Sequence, residues 1–154
     1  MAVSNTYSLK DIVGTISGPN GRISIGSSAG AAEEGITISQ IDDKASMTIG
    51  AGGEGMHSLH MSNAAKITLR LLKTSRTNAL LDAMASADFS SAAVYGQNQI
   101  TFADMARGDV VQASGCGFVR KPDNSYGKQG NIIEWAWNCV DVDQRLGSGT
   151  PAVA

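Results

Sequence analysis

Charge is scarce in this chain. Aspartate, glutamate, lysine and arginine make up 17% of its 154 residues, against roughly 25% in an average soluble domain. The formal net charge is -2, which excludes a strongly basic surface that grips nucleic acid by its phosphates. A weakly acidic surface would instead let DNA pass without sticking. Two cysteines, Cys116 and Cys139, are too few for a disulfide framework. Reduced, core-packed thiols are the expectation, with a bridge between neighbouring strands as the alternative. No window approaches the ~18 apolar residues of a membrane-spanning helix. No charged segment followed by an apolar run opens the chain, so no signal peptide is expected. The chain is expected to be made and kept in a cytoplasm, or to leave it by a route that needs no signal. There is no G-x-S-x-G elbow for a serine nucleophile.

Glycine, by contrast, is abundant, at 18 of 154 residues against an average of about 7%. Low charge with high glycine suits an all-β chain that buries surface against copies of itself. The length suits a single domain over 1–154, without internal repeats and with a flexible C-terminal tail at about 145–154. Residues 7–17 alternate loosely and 22–26 cleanly, on either side of a Gly18-Pro19-Asn20-Gly21 turn, and predict a hairpin. Residues 26–35 read as a loop. Residues 36–41 and 45–49 also alternate, and the tight polar turn Asp42-Asp43-Lys44 between them predicts a second hairpin. A long glycine-rich loop then covers 50–63. Residues 66–72 read as a half-buried strand.

At about residues 76–87 the period changes. Leu80, Leu81, Met84 and Ala87 fall at helical spacing, with Thr74 or Ser75 as the cap. Strands are predicted again at 98–105, at 109–120 with Gly115 and Gly117 allowing a bulge, and at 132–141. The fold class expected is mainly β: an antiparallel β-sandwich or split barrel of about eight strands, with one flanking α-helix.

Candidate chemistry is thin. Gly50-Ala51-Gly52-Gly53-Glu54-Gly55 matches the G-x-G-x-x-G dinucleotide pattern, but no helix follows it and Glu54 would repel phosphate. His57 and His60 are three apart, which sends them to opposite faces of a strand. They are two where a zinc site wants three or four ligands. Glu33-Glu34 and Asp42-Asp43 are adjacent, so each pair points apart and neither forms an acid/base dyad. Lys66, Arg70, Lys73 and Arg76 cluster over one strand-to-helix passage. They would form an anion patch, or pair with Asp42, Asp43 or Glu54 of a neighbouring copy. Trp135 and Trp137 alternate along a strand as a core face does. Core is the preferred reading, with a sugar platform that includes Tyr126 as the alternative. No catalytic residue, cofactor or metal is expected. A small enzyme using the glycine loop and His57/His60 is the weakest reading.

The segments SLKDIVGTISGPNG and GAAEEGITISQIDDKASMTIGAGGEGMHSLHMSNAAKITLRLLKTS resemble the tail tube proteins of contractile-tailed bacteriophages, and the similar tubes of type VI secretion systems and pyocins. The resemblance runs from about residue 8 to 140 and is densest over 31–75. It implies six copies joined edge to edge into a hexameric ring with a continuous inner β-barrel. Rings stack helically into a tube inside a contractile sheath, and viral DNA passes through in transit. It further implies the tail sheath, baseplate and tail terminator proteins as partners, a tape measure protein in the lumen, and a place in the virion after assembly in the host cytoplasm. It transfers no catalytic residue. The alternative is a carbohydrate-binding or adhesin-like β-sandwich of a virion or secretion apparatus. A loop as long as 50–63 is uncommon in a compact domain unless functional. Gly50, Gly52, Gly53, Glu54, Gly55, Met56, His57, Leu59 and His60 are therefore the expected contacts to a subunit in the next ring. Asp42, Asp43, Lys66 and Arg70 are expected at charge pairs or along the lumen, where Arg70 fits only if it is paired.

Overall fold

A computed structural model describes residues 6–26 and 31–149, with backbone alone for 31–34. Nine strands and one α-helix follow a short 3-10 turn: β1 (Ile12–Gly18), β2 (Gly21–Ser24), β3 (Ala31–Gln40), β4 (Ala45–Ile49), β5 (Gly55–Leu59), β6 (Ala65–Leu72), α1 (Thr77–Phe89), β7 (Asn98–Asp104), β8 (Val110–Phe118) and β9 (Ile132–Arg145). Seven strands make one antiparallel sheet in the order β2-β1-β7-β8-β9-β6-β3, and among the described residues β4 and β5 pair only with each other. The sheet is rolled. Ile36 and Ile38 of β3 share a cavity with Ile12 of β1 and Phe102 of β7, although these strands stand near opposite ends of the order. The roll does not close into a barrel, and among the described residues no ladder joins β2 to β3.

Three expectations are corrected. Residues 36–41 do not form a hairpin with 45–49. β3 pairs instead with β6, through Ile36↔Leu69, Ile38↔Ile67 and Gln40↔Ala65. The expected loop at 50–63 contains a strand, β5, that turns back on β4. β9 runs on to Arg145, which pairs with Val110. Residues 150–154 of the expected tail at about 145–154 lie outside the described residues, as do 27–30 of the expected loop at 26–35. From Ala31 onward that loop is already β3.

Period-two alternation decides the core. Ile67, Leu69 and Leu71 of β6 face inward beside Ile133, Trp135 and Trp137 of β9, and Ile16, Ile100 and Phe118 complete the layer. Trp137 and Phe118 are fully buried and Trp135 nearly so. The Phe118 ring lies 5.4 Å from Trp137 and 5.8 Å edge-on from Trp135. Such pairs add about 0.5–1.5 kcal/mol each beyond their buried area. β8 bulges where Asn98 pairs with Cys116 but Ile100 with Ala113. Gly115 takes φ 64° there, and a Cβ on it would stand 3.0 Å from Val140. Cys116 and Cys139 face each other across β8 and β9, both buried and unbridged. A hydrogen bond to the Cys139 side chain, together with burial, pushes the Cys116 thiol well up from its ordinary range.

The helix covers the inner face, turned slightly from the predicted phase. Thr77, Leu81, Met84, Ala85 and Asp88 are buried, while Leu80 is exposed. No side chain caps its N-cap residue, Arg76, and Ser75 Oγ instead accepts from the Thr77 N–H at 3.3 Å. Trp135 Nε1 donates to Asn78 Oδ1 at 3.0 Å, pinning the first turn to the sheet. Asp88 sits buried in the last turn, where the helix dipole disfavours a carboxylate. Two amides offset that: Asn98 Nδ2 donates at 2.6 Å, and Asn20 Nδ2, from the β1–β2 turn, donates to the other oxygen.

A second buried polar cluster holds the start of the chain. The Arg107 guanidinium donates to Asp104 at 2.6 Å, to the carbonyls of Thr6 and Ser8, and to Asp11 at 3.2 Å, and it lies over the Tyr7 ring. Burial alone would raise the Asp104 pKa. The Arg107 backbone N–H, the guanidinium and the Ala106 N–H outweigh it and hold the carboxyl below its ordinary value. A carboxyl whose folded pKa is depressed contributes stability above its unfolded pKa of about 3.9, and that stability is lost as pH falls through the folded pKa.

Phe118→Ala is expected to destabilise the unassembled chain by about 3–5 kcal/mol, read from urea denaturation. Asp104→Asn should lower the melting temperature at neutral pH, and the gap from the unmodified chain should narrow as pH drops below about 4. Thermal melts of both chains across pH check this.

Candidate functional site

β4 and β5 form a hairpin that leaves the rolled sheet. The glycine run that invited a nucleotide is its turn. Gly50 N–H donates to the Glu54 carbonyl at 2.7 Å and Gly53 N–H to the Gly50 carbonyl at 3.0 Å, with Gly53 at φ 86°. This is a three-residue hairpin loop, in which a left-handed glycine follows a β-turn. A Cβ on Gly52 would meet nothing. The ladder runs Ala45↔Leu59, Ser46↔Ser58, Met47↔His57, Thr48↔Met56 and Ile49↔Gly55.

That register sorts the side chains. Ala45, Met47, Ile49, His57 and Leu59 share one face, and Ser46, Thr48, Met56 and Ser58 share the other. The apolar face is uncovered: Met47 is 58% exposed, Ile49 57% and Leu59 84%. An isolated two-stranded hairpin is marginal in water, and large contiguous apolar patches are uncommon on a soluble monomer.

The base of the hairpin is polar and tied down. Lys44 Nζ donates to the Ser62 carbonyl at 2.8 Å and to Asn63 Oδ1. Ser62 Oγ donates to Asp42 at 3.1 Å, and the His60 N–H to the Lys44 carbonyl at 2.9 Å. The Asn63 carbonyl accepts from the Val142 N–H at 3.0 Å, stitching the exit to β9. A bound base with a bare apolar blade suits a projection held at a defined angle.

The residues singled out from sequence fall in two places. Gly50, Gly52, Gly53, Glu54, Gly55, Met56, His57 and Leu59 lie together in the turn and β5, and His60 follows directly. Asp42 and Asp43 stand at the corner where the chain leaves β3. Lys66 and Arg70 lie elsewhere, on the outer face of β6. Arg70 Nε is 3.5 Å from Glu134 and its Nη1 donates to Thr37 Oγ1 at 3.0 Å. Lys66 lines a groove with Arg120, Asp123 and Glu134. Lys73 is occupied by Asn124, Asn131 and the Ser125 carbonyl. Arg70 and Lys73 of the basic run are thus engaged within the chain, while Arg76 is exposed.

Met47 and Ile49 belong to the site as much as β5 does, yet they read as half of a different hairpin. The missed signal was the match of 45–49 to 55–59 around a glycine turn of hairpin length. Trp135 and Trp137 are buried, so the sugar platform has no accessible tryptophan ring. Among the described residues no cluster of three or more metal-ligating side chains occurs, and no helix is long and apolar enough to cross a membrane.

Solved structures share this fold. A chain of the contractile injection system PVC sheath/tube terminator in its extended state matches with a TM-score of 0.61 and 14% identity, over 94% of this chain and 99% of that one. A chain of the anti-feeding prophage cap, which terminates the AFP tube, matches at 0.57 and 11% identity, over 96% and 95%. A chain of the PVC sheath–tube complex matches at 0.52 and 14%, over 86% and 88%. At such identities the likeness is one of fold. No curated protein matches the sequence. The family model for the bacteriophage PhiTE tail tube protein matches residues 4–147. The chain therefore belongs to the PhiTE tail tube protein family, a family of phage tail structural proteins.

Proposed function

We propose that this chain is the repeating subunit of a phage tail tube. Copies join edge to edge into hexameric rings, rings stack helically inside a contractile sheath, and DNA crosses to the host through the lumen. The observation that carries this reading is the hairpin, whose apolar face stays exposed among the described residues. Burying it on a subunit in the next ring removes that face from water. At about 25 cal/mol per Å² of apolar area, the gain recurs with every subunit. The sides of β2 and β3 that no described strand pairs supply edges for ring closure, which disposes of the aggregation hazard that open edges carry.

Sheath, baseplate, terminator and tape measure proteins are the partners such a tube meets, and the virion is its place. Its role is mechanical, not catalytic. DNA in transit needs a wall that does not hold phosphate. The chain's low charge and the pairing of Arg70 with Glu134 support that requirement. Asp42, Asp43 and Lys66 are candidates for the same wall or for pairs between copies.

Electron microscopy of the purified chain in negative stain is expected to show rings or tubes, and a uniformly monomeric protein would contradict the reading. Met47→Asp combined with Ile49→Asp should abolish stacking. Because both positions are exposed, monomer stability should change by only about 0.5 kcal/mol for each. Deleting 52–60 should likewise stop tube assembly; tubes that still form would refute the hairpin's role.

A further inference from the structure

The rolled sheet has a seam. Between β3 and the β1–β7 side lies a slot of about 300 Å³, lined by Leu9, Ile12, Ile36, Ile38, Phe102 and Val111 among others, with Leu146 at its rim. Ile12, Ile36 and Ile38 are also the apolar residues that pack against the core while remaining partly exposed. All of them meet at this slot. The core is therefore unfinished along one line, where the sheet fails to close.

We propose that the slot is the receptor for the β4–β5 hairpin of a second copy, with Met47, Ile49 and Leu59 of one subunit covering the half-buried isoleucines of the other. This rests on the tube reading above and names the surface that the hairpin meets. Two features single out this occupant. First, the chain carries both halves of the contact, an apolar blade and an apolar slot that no other described residue fills. Methionine suits such a blade, since its unbranched thioether adapts to an irregular gap. Secondly, the charges are compatible. The only titratable side chain on the blade's apolar face is His57, and the titratable groups lining the slot include Asp104 and Asp109, so no like charges meet. A blade on one surface and a slot on another make a heterologous contact, which propagates copy after copy and does not close on a dimer. The shallower apolar surface by Ile41, Met61 and Val140 lies at the hairpin's own base, and is a weaker receptor.

The test uses exposed positions, so that folding is not at stake. The native Cys116 and Cys139 are buried and do not compete for reagent. Full-length Met47→Cys and Leu146→Cys chains are mixed, assembled and treated with a short bis-maleimide. A cross-linked dimer is expected in the mixture, absent from either variant alone. It should be lost when Ser46→Cys, on the hairpin's other face, replaces Met47→Cys. Tubes that form normally but give no Met47–Leu146 product, or as much product from Ser46, would overturn the slot as receptor and leave the tube reading standing. A wild-type chain that never assembles would overturn both.

Discussion

A strand satisfies its backbone on two sides, and a sheet that does not close leaves two strands half satisfied. That constraint governs this molecule. The seven-stranded sheet rolls far enough to bring β3 toward β1, but among the described residues β2 and β3 keep a free side, and Ile12, Ile36 and Ile38 stay partly exposed where they approach. The aromatic centre of Phe118, Trp135 and Trp137 and the helix above it complete the core on the other side of the roll. The monomer is thus finished at its middle and unfinished at its margins. The hairpin extends the same imbalance outward, since among the described residues its two strands pair only with each other and its apolar face is bare.

Buried polar groups fix the shape against which those margins are defined. Asp88 binds the end of the helix to the β1–β2 turn through Asn20 and to β7 through Asn98. Arg107 binds the first described residues to Asp104 and Asp11. Breaking either partner of a buried pair leaves an uncompensated polar group and costs more than a surface pair is worth. The Asn20–Asp88 contact lies at the turn into the β2 edge, and Asp104 lines the seam.

Much of the fold was legible because alternation survives in sequence. Ile67, Leu69 and Leu71 and the Ile133–Trp135–Trp137 run announced their inward face, and the change of period after Ser75 announced the helix. Alternation reports faces, not partners. Asp42-Asp43-Lys44 has the chemistry of a tight turn, so 36–41 and 45–49 read as neighbours. The Lys44 side chain instead braces Ser62 and Asn63, and β3 finds β6 across the whole hairpin. The helix's exact face was set by what lies beneath it, which put Ala85 inside and Leu80 outside. Nothing in the sequence pattern marked Asp88 or Arg107 as buried, since Asn20 reaches the one and Thr6, Ser8 and Asp11 reach the other from far along the chain. The candidate site was half visible. The glycine run marked the turn of the exposed hairpin, and the resemblance to tail tube proteins pointed to the next ring as what it would meet. Met47 and Ile49 were hidden by the mistaken pairing.

The central claim is that the hairpin is covered by another copy in the working state. Amide hydrogen exchange resolved to peptides over 45–59, compared between the dispersed chain and assembled tubes, tests it most directly, since an exposed two-stranded hairpin opens readily while a buried one exchanges only with wider unfolding. The account predicts strong slowing over 45–59 on assembly, with the Phe118–Trp137 core already slow in both states. Tubes in which 45–59 exchanges as fast as in the dispersed chain would contradict it.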